Sequence, residues 1–387
     1  MKYISNSVLA LTIFFLEDRY ENDGFQALYN EKGIAISIKM SNSGRFFQVV
    51  NSMEIRKVQM TGGSSYIVSL PKEWIKESGI KKNDPLGLIV QSDGSLTVTP
   101  KITGKMAERI KIFNLRDIND YEDLYRLLIG AYVTGFNTIK IVTPARIPSF
   151  AHKAVRLFIQ ASIGQEVSEE TEKSIIIKDL LNPGEMPFEN VISRMYVIID
   201  GMLRDAIFAL KTRDKDLTDD VISRDRDINR LYWLISRQYN LLLRNVSLSR
   251  DMGMDVEMAL HYLQVSRVLE RVGDQVVRAA ENIQSLLFVS VERKIMDMLQ
   301  SLTLEAMDIL NSGIESFFKK DINKTNDTLG RVKKFNKKCD DVSKELFDVN
   351  RSGVLSIGYT IENLRRISEY TGVICETSIN YIVMGNS

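Results

Sequence analysis

Hydrophobic positions change period along the chain. From Met53 to Pro100 the apolar residues come in short β-rich runs: IRKVQM and YIVSL, separated by Gly62 and Gly63, then PLGLIVQ and SLTVTP on either side of SDG. Runs of that length between turn residues predict strands, and the SDG predicts a hairpin. Between the two pairs, PKEWIKESG places Pro71 at a helix start and Gly79 at its end, the favoured asymmetry for a short helix. From 103 to 182, RIKIFNL, TIKIVT and the pair within QEVSEETEKSIIIKDL read as strands. YEDLYRLLIGAYVTG and PSFAHKAVRLFIQASIG read as helices between them. Interleaving of this kind predicts an α/β or α+β connecting domain. After NPGEMPF (182–188) glycine and proline almost vanish and apolar residues recur at three and four, predicting helices near 188–212, 216–247, 254–288, 291–319, 322–349 and 353–384. The two sets of three, 186–288 and 291–385, form a weak internal repeat for which antiparallel bundles are expected.

Residues 1–52 have weak periodicity, and the regular pattern opens at Met53. The expectation is a weakly structured or mis-called extension, with Met53 as the natural start. VLALTIFFL, residues 8–16, is shorter than the roughly 20 apolar residues that span a bilayer. Lys2 precedes it, but no small-residue cleavage pattern follows, so it is expected to be a buried or poorly ordered segment. No other stretch predicts membrane insertion.

Composition narrows the chemistry. The 387 residues are 44% hydrophobic and 26% charged, with a net charge of +1, so nucleic-acid contact requires a local basic patch. Two cysteines, Cys339 and Cys375, and two histidines, His152 and His261, fit a reducing cytoplasm and exclude the common zinc sites. Metal ligands, if any, are carboxylates. TGGSS lacks the Gly-Lys-Ser/Thr ending of a phosphate loop, and GxGxxG, GxSxG and HExxH are missing, so no enzyme is predicted. The histidines have no evident acid or nucleophile partner, and His261 reads as a packing or surface residue. The cysteines read as core residues on neighbouring helices.

The sharpest helical feature is LERVGDQVVRAAEN, 269–282, in which Glu270, Asp274 and Glu281 fall within about 40° of one another around the helix. Arg267, Arg271 and Arg278 run alongside. The face is either an exposed one laced by salt bridges or a hard-cation site.

VLERVGDQVVRAAENI, with VISRDRDINRLYWLI on the preceding helix, resembles the first repeat of the PhoU family of phosphate-signalling regulators. The resemblance covers roughly 188–385. It implies two three-helix bundles and a divalent or ferric metal ion at a Glu/Asp-x-x-x-Asp motif, with no other cofactor. Glu270 and Asp274 match the two acidic positions; Asp225, Asp227, Glu281 and Glu369 are secondary candidates. In the second repeat Arg365 stands opposite Glu270 and Glu369 opposite Asp274. An arginine offers no lone pair, so the second cluster is expected to be absent or reduced, and Arg365 can instead pair with Glu369 across one turn. Residues 54–101, above all SSYIVSLPKEW followed by GIKKNDPL, resemble the AbrB/MazE/SpoVT-type DNA-binding domain, a swapped-hairpin β-barrel formed by two chains. That resemblance implies a homodimer with Arg56, Lys57, Lys72, Lys76, Lys81 and Lys82 facing DNA, and Trp74 as a core or dimer contact. The order of the parts, with the stretch at 164–181 as linker domain, resembles an archaeal-type fusion.

Together these features predict a multi-domain, cytoplasmic, dimeric transcriptional regulator of phosphate uptake or signalling. The helical repeats would be its sensor or partner-binding unit, and a phosphate transporter or sensor kinase its implied partner. The alternative is a metal-binding adaptor that controls a transporter or kinase by protein contact, without DNA. A carboxylate-bridged metal hydrolase ranks third, because Arg365 interrupts the second motif.

Overall fold

A computed structural model of the protein describes residues 54–63, 65–90, 94–100, 108–347 and 353–385, together with the backbone of four short strands before them. Those are β1 (Leu28–Asn30) paired with β2 (Gly33–Ala35), and β3 (Ser37–Ile38) paired with β4 (Phe47–Gln48), both antiparallel. The expectations for residues 8–16 and for Met53 fall outside the described residues. The chain divides into two compact units, 1–103 and 104–387.

In the first unit, β5 (Gln59–Thr61) pairs with β6 (Ser65–Ile67) and β7 (Gly87–Val90) with β8 (Leu96–Thr99), as two separate antiparallel ladders. Helix α1 (Lys72–Glu77) lies between them in sequence. Gly79, at φ +65°, stops it, and the Ile80 amide donates back to the Ile75 carbonyl at 3.0 Å. The IRKVQM strand is shorter than its pattern predicts, because Ile55 to Val58 lie before the ladder, which begins at Gln59. No described residue from 54 to 100 is buried. Large apolar side chains stand in solvent instead, among them Ile55, Met60, Tyr66, Leu88 and Val90. A lone two-stranded ladder is marginal in water, and these two bury almost nothing within one copy.

The second unit begins with a four-stranded sheet. Its strands are β9 (Ile110–Asn114), β10 (Thr138–Val142), β11 (Gln165–Glu170) and β12 (Ser174–Asp179), in the order β11-β12-β10-β9. The β9–β10 pair is parallel, joined through α2 (Tyr121–Val133), and the other pairs are antiparallel. Alternation places Ile139, Ile141, Ile175 and Ile177 on one face, buried. There they pack against α2 and α3 (Ser149–Ala161) through Leu124, Leu128, Ala154 and Phe158.

Helices follow to the end: α4 (Phe188–Thr212), α5 (Lys215–Ser223), α6 (Asp225–Leu242), α7 (Val246–Met252), α8 (Val256–Leu286), α9 (Arg293–Lys319), α10 (Ile322–Phe347) and α11 (Val354–Met384). The stretch expected as one helix, 216–247, is broken. Helix α5 ends at Arg224, whose guanidinium is held by Asp205 at 2.7 Å and also by Asp220. Asp225 and Asp227 then open α6, where the helix dipole favours acids. The two sets of helices share one contiguous core. Its centre is an aromatic cluster in which Tyr262 stacks with Phe188, Phe317 and Tyr381 from three other helices. The internal repeat survives in the corners. Helices α4 and α9 both end on a left-handed cationic residue, Arg213 (φ 56°) and Lys320 (φ 51°), followed by an aspartate that caps the next helix.

An arginine of α6 is buried where the sheet layer meets the helices. Arg237 of α6 is 3% exposed and ion-paired with Asp179 at the end of β12. Its Nη1 donates to the carbonyls of Tyr132 at 2.6 Å and Phe136 at 2.9 Å, and its guanidinium lies 4.9 Å from the centre of the Tyr132 ring. Burial pushes the Tyr132 phenol up to about 12. Gly135 allows the approach: at φ +82°, a Cβ there would sit 2.9 Å from Leu241 of α6. Replacing Arg237 with Met removes the ion partner of the buried Asp179 carboxylate, so urea unfolding should show a loss of about 3–5 kcal/mol. The double variant Arg237→Met/Asp179→Leu should recover part of that loss. An unchanged unfolding midpoint for the single variant would refute the role given to this pair.

Candidate functional site

Two places collect the residues singled out by sequence. In the first unit Arg56, Lys57, Lys72, Lys76, Lys81 and Lys82 are all exposed. Helix α1 carries Lys72 and Lys76, while Lys81 and Lys82 follow it in a turn held by Asp84, which accepts from the Lys81 amide at 2.7 Å. Arg56 is paired with Glu54, 3.1 Å from its Nε. Trp74 is half-buried on the short helix.

In the second unit Asp225 opens α6 after the α5–α6 break, close enough to Glu270 and Asp274 of α8 for their charges to act on one another. Burial raises the proton affinity of Glu270 and of Asp225, and the Asp274 carboxylate raises both further. The Oδ2 of Asp225 accepts from Asn229 at 2.7 Å, and its Oδ1 is buried without a partner. Around Glu270 and Asp274 is a cleft of about 440 Å³ lined also by Arg267, Arg271, Arg278 and Arg366. Arg366, Tyr370 and Tyr232 come from other helices, and nothing in the motif itself signals them.

Not every predicted residue joins this group. Asp227 is two residues from Asp225, about 200° around the helix. It points into a different cleft and lies 3.9 Å from Arg230. Glu281 is exposed, two turns beyond Asp274. Glu369 is held at 2.5 Å by Arg365, the i,i+4 pairing that the sequence allowed, while Arg365 Nε also bonds Glu362 at 2.7 Å. The salt-bridge lacing expected of Arg267, Arg271 and Arg278 with Glu270 and Asp274 is not formed among the described residues. Nor do any three His, Cys, Asp or Glu side chains among the described residues converge as metal ligands. A hard cation wants about six oxygens, and this donor set, ringed by guanidinium groups, does not supply them. No step is assigned to a metal here.

The remaining candidates are structural. His261 stacks on Tyr381 with ring centres 5.3 Å apart, and burial lowers its proton affinity. His152 lies 3.3 Å from Glu170 across α3 and β11. Cys339 and Cys375 are buried free thiols, pushed up to about 12 and about 11 by burial, which makes them poor nucleophiles at neutral pH. Among the described residues no helix is long and apolar enough to cross a membrane.

Comparison with known proteins fits these two places. Residues 192–283 match the PhoU domain. Residues 59–105 match the domain described as antidote-toxin recognition MazE, bacterial antitoxin. The chain thus carries both domains. The first match contains Asp225, Glu270 and Asp274; the second contains Lys72, Lys76, Lys81 and Lys82, with Arg56 and Lys57 just ahead of it. A relative from Thermotoga maritima, the phosphate-specific transport system accessory protein PhoU homolog 1, is 24% identical over 216 residues, 51% of this chain and 85% of its own length. Among solved structures, the phosphate transport system regulatory protein PhoU from Streptococcus pneumoniae is 19% identical, with a TM-score of 0.44 over 51% of this chain and 94% of that one. PhoU from Pseudomonas aeruginosa is 21% identical, with a TM-score of 0.43 over 51% and 96%.

The raised proton affinity of Glu270 has a definite sign. An acid whose folded pKa lies above its unfolded value adds stability while protonated and loses it as pH rises through the folded pKa. Glu270→Gln should therefore melt above the parent at pH 7, by a few tenths of a kcal/mol for the i,i+4 repulsion alone. The advantage should disappear below about pH 4, where the parent carboxyl is protonated in both states. Equal melting curves at both pH values would contradict this.

Proposed function

We propose that this chain is a DNA-binding regulator of phosphate uptake or signalling, acting in the cytoplasm as a homodimer. In this reading the front unit is a DNA reader and the PhoU-like helical region is its sensor or partner-binding unit. The observation that carries it is the state of residues 54–100: two short ladders, apolar side chains in solvent, and no buried residue among the described ones. Such a unit gains a core when a second copy interleaves with it, as in a swapped-hairpin barrel. That pairing also sets two copies of Lys72, Lys76, Lys81 and Lys82 on one assembly, where they meet phosphates. The match to a MazE-type domain supports the same reading. At the other end, the resemblance to a protein named for phosphate transport supports a phosphate transporter as partner; a sensor kinase is the other partner in this reading. A signal at the helical region would act by favouring one arrangement of the two DNA-reading copies. No enzymatic step belongs to this reading.

A second reading has its own support. Residues 54–100 hold six cations and five acids, nearly neutral for a DNA-facing surface. On that reading the front unit is a dimer clasp, and the chain is an adaptor acting on a transporter or kinase by contact.

Fluorescence anisotropy of the full chain on DNA from upstream of its own gene, or of a phosphate transporter gene, separates the two. For roughly six to ten phosphate contacts, affinity should fall by about 10³–10⁵ between 50 and 200 mM salt. The Lys81→Glu/Lys82→Glu variant should lose binding while light scattering still reports a dimer. No binding at low salt by a dimeric parent would leave the adaptor.

A further inference from the structure

The reading above leaves unused the large cleft between the sheet layer and the helices, about 1,150 Å³ in volume. Helix α2 contributes Tyr121 and Tyr125, α4 contributes Arg194, and α6 contributes Arg226, Arg230 and Trp233. Three flat rings and four guanidinium groups, Arg224 of the α5–α6 corner among them, therefore share one space. Trp233 packs at the edge of the sheet-layer core and remains half-exposed, while one face of Tyr121 is already covered by the Lys153 ammonium, 3.5 Å from the ring centre.

The arginines have donors to spare. Arg194 makes no hydrogen bond or ion pair among the described residues. Arg226 reaches only the Ser223 carbonyl, at 3.4 Å. Arg230 has a buried Nε with no acceptor, and its other contacts are long, 3.5 Å to the Ser162 carbonyl and 3.9 Å to Asp227. Three carboxylates share the lining: Glu122 is held by Arg126, Asp220 by Arg224 of the same wall, and Asp227 lies 3.9 Å from Arg230, so the arginines of the lining outnumber its acids by one. A guanidinium carries five donors in a fork that matches phosphate oxygens, so this wall suits an anion. Inorganic phosphate would fill a small part of the volume and leave the rings unused.

We propose that this cleft binds a nucleoside phosphate, with the phosphates on Arg194, Arg226 and Arg230 and the base against Trp233 and the tyrosines. The ligand touches both α2 of the sheet layer and α4 and α6 of the helical region, so its binding responds to how those elements pack. The DNA-binding reading can fail without touching this assignment.

The chain has two tryptophans, Trp74 and Trp233, so a Trp74→Phe variant of the full chain reports from the cleft alone. Its emission is to be titrated with ATP, GTP and AMP, and with adenosine and inorganic phosphate as controls, alongside calorimetry of the same mixtures. Saturable binding of a nucleotide with a change in Trp233 emission is expected, weaker binding of adenosine, and none of inorganic phosphate at equal concentration. Arg194→Ala/Arg226→Ala should weaken the nucleotide at least about tenfold with an unchanged thermal melt, since neither side chain holds the fold together. The assignment is overturned if no nucleotide gives heat or quenching at millimolar concentration. It is overturned equally if inorganic phosphate binds as well as the nucleotide, or if the double variant binds like the parent.

Discussion

The second unit depends on a charge placed where water cannot reach it. Arg237 is buried among apolar neighbours of α6, and its desolvation is offset by the Asp179 carboxylate, two carbonyls of the α2–β10 connection and the Tyr132 ring. Such an arrangement contributes modestly to net stability but punishes any alternative docking, because each displaced partner leaves a buried group unsatisfied. The sheet layer is thereby set in one orientation on α6. Everything that α6 positions follows from it: Asp225 at one end facing α8, and on another face Arg226, Arg230 and Trp233 lining the large cleft.

The helical region is held in a different manner. Its two sets of helices have one core in common, and the Tyr262–Phe317–Tyr381 contacts tie the first set to the second. A repeat whose halves bury a common surface cannot report on one half alone. The Glu270–Asp274 pair lies beside this shared packing, and its cleft takes Arg366 and Tyr370 from the second set. Where the acidic pair recurs in pattern, the second set has Arg365 held between Glu362 and Glu369. The arginine of that cluster is bonded on both sides, while burial and neighbouring carboxylates raise the proton affinity of Glu270 and Asp225.

The front unit shows the opposite economy. It satisfies its turns, with Gly79 and Asp84 closing the corners of α1, yet leaves its apolar side chains in water. Fewer than fifty residues in two ladders cannot exclude water from both faces of a sheet. The dimeric reading of this chain rests on that shortfall.

Much of this was legible in the order of residues. The period-two runs, the shift to a period of 3.6 after Pro187, the proline and glycine around α1 and the Glu-x-x-x-Asp spacing are local properties, and local backbone sterics and amphipathicity express them directly. The sequence also allowed the Arg365–Glu369 pairing, since i,i+4 neighbours can meet on any helix. It did not disclose the break at Arg224, because a helical pattern continues unchanged through 216–247 and only the Asp205 contact and the packing of Ile228 under Gly273 make the turn worthwhile. Nor did it separate Asp225 from Asp227, or bring Arg194 to Arg230. Those juxtapositions join residues from elements far apart in the chain, and their distances exist only after the apolar faces have chosen partners. Periodicity reveals that a face is buried; packing alone decides against what.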